Sequence, residues 1–100
     1  MDYQTFRASL TSTSPPEAVS NHLLALWHDA QGNWELAHEC VQSESDPLSA
    51  RIHAYLHRKE GDILNARYWY NRCGEAPFSG SLSEEWDTLV QRIVSVSRAA

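Results

Sequence analysis

One hundred residues provide for one domain with one core, and exclude two. At 42% hydrophobic and 21% charged the chain has the composition of a folded protein rather than a disordered one. The net charge of −5 argues against nucleic acid as a partner, since that contact rewards basic surfaces.

The charge is unevenly spread. Residues 1–50 carry seven acids against the single base Arg7, whereas residues 51–100 carry six acids against seven bases. Such polarity steers a partner or orients self-association. Four Trp and four Tyr exceed what so small a core requires, so part of the aromatic surface is expected to serve recognition. No segment approaches eighteen apolar residues and the N-terminus lacks an apolar run of signal-peptide length. The expectation is a cytoplasmic protein without a membrane span. Cys40 and Cys73 lie far apart on helix-like segments and read as small buried hydrophobes.

In chain order, residues 1–13 are rich in Ser and Thr and read as a flexible arm, although Tyr3, Phe6 and Leu10 have helical spacing. A single helical domain is expected over 14–100. Ser14-Pro15-Pro16-Glu17 has the chemistry of a helix start, and that helix is predicted to run to about Ala30. Gln31-Gly32-Asn33 stops it and caps a second helix, Trp34 to about Gln42. Asp46-Pro47 starts a third, Leu48 to Glu60, which carries apolar residues on two faces. Gly61-Asp62 leads into a fourth, Ile63 to Cys73, with Leu64 and Tyr68 turned away from its inner stripe. After a Pro- and Gly-containing loop, Ser81 or Ser83 caps a last helix, Glu84 to about Arg98. Its stripe is Trp86, Leu89, Val90, Ile93 and Val94. The fold class is therefore all-α, with about five helices.

Shifting the chain by 29 residues aligns Ala25 with Ala54, His28 with His57, Gly32 with Gly61, Asn33 with Asp62 and Ala37 with Ala66. Small residues let paired helices approach, and Gly-Asn or Gly-Asp makes the turn between them. Gly61-Asp62-Ile63, with Ala66, Tyr70 and Cys73, resembles the second half of a tetratricopeptide or Sel1-like repeat; Gly32-Asn33-Trp34 with Ala37 and Val41 is a looser match. The resemblance covers about residues 18–73 and implies two tandem helix-turn-helix hairpins in a right-handed stack, closed by the C-terminal helix. It also implies a peptide- or protein-binding role. Residues 53–74 resemble a stretch in small, functionally uncharacterised bacterial and fungal proteins, which supplies no mechanism.

No nucleophile motif, phosphate-cradling loop or paired carboxylate pattern is present, so catalysis is not expected, and neither is a cofactor. The leading reading is a non-catalytic interaction module for an unidentified protein or peptide. Its candidate surface is His53, His57, Arg58, Asn65, Tyr68 and Arg72, where polar aromatics and bases concentrate. The alternative is a small-ligand or metal-binding protein. His53 and His57 are spaced i, i+4 on one helix, and His28 of the neighbouring hairpin would supply a third ligand. A homodimer that covers the repeat ends is the third reading.

Overall fold

The computed structural model describes the backbone of residues 1–99 and side chains as far as Ser95; Ala100, the last residue of the expected domain, lies outside it. The described residues form six helices and no strand: α1 Tyr3–Ser9, α2 Asn21–Ala30, α3 Trp34–Gln42, α4 Pro47–Lys59, α5 Ile63–Cys73 and α6 Leu82–Ala99. Among the described residues no helix is long and apolar enough to cross a membrane.

The helix count exceeds expectation because the N-terminal stretch is itself helical. Asp2 caps α1 by accepting the amide of Thr5 at 2.8 Å, and Phe6 is fully buried. Tyr3 donates its hydroxyl to Asp87 at 2.6 Å, which fastens α1 to α6. The first long helix starts later than its Ser-Pro-Pro signal. Ala18 takes a positive φ of 59°, a left-handed conformation that no helix interior tolerates. Ser20 then caps α2 through the amide of Leu23.

The two interhelical turns share their glycine conformation, their closing backbone bond and their cap. Gly32 and Gly61 have φ of 81° and 88°, the left-handed region where a side chain is strained. Asn33 donates its amide to the His28 carbonyl at 2.9 Å, as Asp62 does to that of His57 at 3.0 Å. Asn33 and Asp62 then cap α3 and α5 through the amides of Leu36 and Asn65. Two turns 29 residues apart thus have the same glycine conformation and cap geometry.

Helix α4 is the centre of the molecule. Every residue from Ser49 to His57 is buried, so both of its apolar faces are core. It packs against α2, α3, α5 and α6. The main core joins Phe6, Leu23, Leu26, Trp27, Ile52, Leu56 and the whole α6 stripe. Trp86 donates its indole N–H to the Leu26 carbonyl at 3.0 Å, which directs α6 to α2 rather than to the outer side of α5. Leu64 and Tyr68 are consequently uncovered, at 79% and 54% exposure.

A buried ion cluster ties α6 to α4 and α5. Glu85 is fully buried and faces Arg51 and Arg58, each at 2.7 Å, and accepts the hydroxyl of Tyr70. Arg51 also reaches Glu75 at 3.1 Å and lies over the Tyr70 ring. Arg58 donates further to the carbonyl of Gly80.

Candidate functional site

Three imidazoles converge where α3 crosses α4. His38 comes from α3, and His53 and His57 come from consecutive turns of α4. One nitrogen from each lies within 4.8 Å of the others. His53 and His57 stack in parallel at 5.8 Å between ring centres, the geometry that i, i+4 spacing dictates. His38 meets them edge-on, at 4.8 Å and 5.3 Å.

Two tryptophans bracket the group. Trp34, the first residue of α3, stacks on His38 at 5.0 Å and donates its indole N–H to the Leu56 carbonyl at 2.7 Å. Trp69 of α5 stacks on His53 at 4.1 Å. Outside Trp69, Tyr68 stands perpendicular to it at 5.1 Å, and Arg72 lies 5.7 Å from its centre while donating to the Tyr68 hydroxyl. The walls are flat and mostly apolar.

The hydrogen bonds assign the protons. Nδ1 of His57 lies 2.6 Å from Oε1 of Glu60. A carboxylate only accepts, so Nδ1 carries the hydrogen, which in the neutral ring leaves the lone pair on Nε2. His53 differs: its side chain is buried, and its Nδ1 has no hydrogen-bond partner. A buried polar atom left unpaired costs on the order of 1–3 kcal/mol. Packing alone gives no reason to place one here.

Burial pushes the pKa of His53 down to about 4, with the neighbouring His38 and His57 acting in the same direction. Burial and His57 likewise lower that of His38. For the protein without bound ligand the sign follows. Unfolded His53 takes up its proton near 6.5 and the folded form only near 4, so between these values the unfolded chain binds more protons. Stability should therefore fall as pH drops through that window and level off below it, by on the order of 1–3 kcal/mol. Urea titrations across this range check it; a profile flat from neutral pH to about pH 4 would contradict it.

The other expected site residues are dispersed. His28 sits half-buried on α2 with its ring edge-on to Trp27, and it does not join the histidine group. The third imidazole is His38 instead. In the 29-residue register His38 falls opposite Arg67, so that register does not single it out; the local signal for it is the aromatic i, i+4 pair Trp34–His38. Arg58 is occupied by Glu85 and Gly80. Asn65 lies in the first turn of α5, its amide capped by Asp62. Tyr68 and Arg72 pair with each other beside Trp69. His57, Glu60 and Asp62 form a second, more exposed group at the α4–α5 turn.

An open cavity of about 410 Å³ lies elsewhere, among α1, α2, α4 and α6. Its charges are already matched: Lys59 and Tyr55 to Asp29, and Arg7 and Tyr3 to Asp87.

Comparison with family models, with curated proteins and with solved structures found no match for this chain.

Proposed function

We propose that this chain is a small all-helical binding protein for a borderline divalent metal, zinc foremost, held by His38, His53 and His57. The observation that carries the reading is the histidine group itself, three imidazoles with a ligand nitrogen each within 4.8 Å of the others, one of them the buried His53 with an unpartnered Nδ1. Three imidazoles suit zinc, copper or nickel and not calcium or magnesium. Depressed pKa values keep His38 and His53 in the neutral, ligating form at neutral pH. Glu60 on His57 supplies the outer-sphere carboxylate that orients a ligating histidine. Tetrahedral zinc separates its nitrogens by about 3.3 Å, so binding draws the nitrogens, now within 4.8 Å, closer together and turns at least one of the parallel His53 and His57 rings. In this reading the α2–α3 and α4–α5 pairs are two repeats of a tetratricopeptide-like stack that serves as the scaffold.

The test is equilibrium competition with a chromophoric zinc chelator. Wild type and His28→Ala should each take up one zinc per chain, and His38→Ala should lose roughly 100-fold or more in affinity. Uptake that depends on His28 and not on His38, or no uptake by wild type, would overturn the assignment.

A second reading is favoured by the outer face of α5, where Ile63, Leu64 and Tyr68 are 51%, 79% and 54% exposed beside Arg67 and Arg72. Such a face suits an amphipathic partner helix with acidic flanks. A partner bound there should be lost by the Leu64→Glu, Tyr68→Ala double variant while the melting temperature barely moves. Retention of the partner would count against this surface.

A further inference from the structure

The histidine group stops at three. Among the described residues no other His, Cys, Asp or Glu brings a ligand atom within 4.8 Å of all its members, and residues 96–100 include none of these types. The nearest carboxylate, Glu60, is engaged at Nδ1 of His57, where it orients the ring. Structural zinc sites are closed by four protein ligands; sites with three keep a fourth position for water or an incoming ligand.

Resting on the metal-binding reading above, we propose that the fourth position is held by exchangeable water and takes small anions with an oxygen or nitrogen donor, carboxylates foremost. A dication on three neutral imidazoles keeps its full double charge. Glu60 on His57 and Glu39 near His38 offset part of that charge from one side, whereas the Trp34 and Trp69 rings that line two others carry no charge to do so. In such a shell an anion gains more from the metal than it would in water. The path inward is available: His38, Trp34 and Trp69 are each only partly buried, whereas His53 and His57 form the floor. The flat indoles also shape the entrance for a planar group. At the outer rim, Arg72 beyond Trp69 adds a cation that favours approach of negative charge.

Cobalt(II) is the probe, because its visible bands report coordination while its ligand preferences follow those of zinc. The cobalt-loaded full chain is titrated with azide and then with acetate. The proposal expects one cobalt per chain, bands that shift saturably with azide, and competition by acetate for the same site. Cobalt bound through His38, with bands that neither anion moves, would mean a closed site; the metal reading would stand and this proposal would fall. Failure to bind cobalt or zinc at all would remove both. His38→Ala serves as the control, and its folding is checked by circular dichroism. If the azide response persists unchanged in it, the anion site lies elsewhere and the proposal is overturned.

Discussion

Zinc supplied at a hundredfold its dissociation constant is expected to stabilise the metal-free protein by about 2.7 kcal/mol, a rise of roughly 10–20 °C in melting temperature for a domain of this size. The rise comes from linkage between binding and folding. His53 and His57 are one helical turn apart, but His38 lies on a different helix and meets them only in the folded chain. The unfolded chain therefore offers a much poorer site, and nearly the full binding free energy appears as folding free energy. Differential scanning calorimetry with zinc, and then with excess chelator, measures the rise and its reversal. His38→Ala should abolish it and His28→Ala should keep it. His38 is the better target, because it is only partly buried; His53→Ala would also unpack Trp69 and lower the baseline.

Replacing Glu85 by Ala is expected to cost about 3–5 kcal/mol, measured by urea denaturation, since removing one member of a buried ion pair strands the other. Arg51 is 3% exposed and would keep only Glu75, which is itself partly open to solvent. Tyr70 would lose its acceptor, and Arg58 would keep only the carbonyl of Gly80. The paired change Glu85→Leu with Arg51→Met should recover much of this loss, because burying two apolar groups carries no desolvation penalty for charge. A Glu85→Ala variant within about 1 kcal/mol of wild type would mean that the cluster is solvated and contributes as a surface pair does.

Much of the helical frame was legible from local chemistry. The limits of α3 and α5 followed from Gly32-Asn33 and Gly61-Asp62, where a left-handed glycine precedes a capping side chain. The α6 stripe from Trp86 to Val94 was equally plain, and all of it is core. Two features misled. Ser14-Pro15-Pro16 offers capping chemistry as good as that of Ser20, and nothing local announces the left-handed Ala18 between them. Helix α1 has only seven residues, too few to display a sustained period. The expected five helices became six for that reason.

The candidate site was half legible. Spacing alone placed His53 and His57 on one face of a helix. The third imidazole depends on how α3 lies across α4, a tertiary fact, and the repeat register favoured His28 because it matches His57 position for position. Glu85 and Arg51 were hidden for a related reason: charged residues in a helical pattern read as a solvated face, and only the packing of α6 against α4 and α5 buries them.

The most direct measurement is anomalous diffraction at the zinc edge from crystals of the zinc-loaded protein. The account predicts one peak per chain, about 2.0–2.1 Å from a ring nitrogen of each of His38, His53 and His57, with a non-protein ligand completing the coordination. A peak at His57, Glu60 and Asp62 instead, or no peak within the three rings, would contradict it.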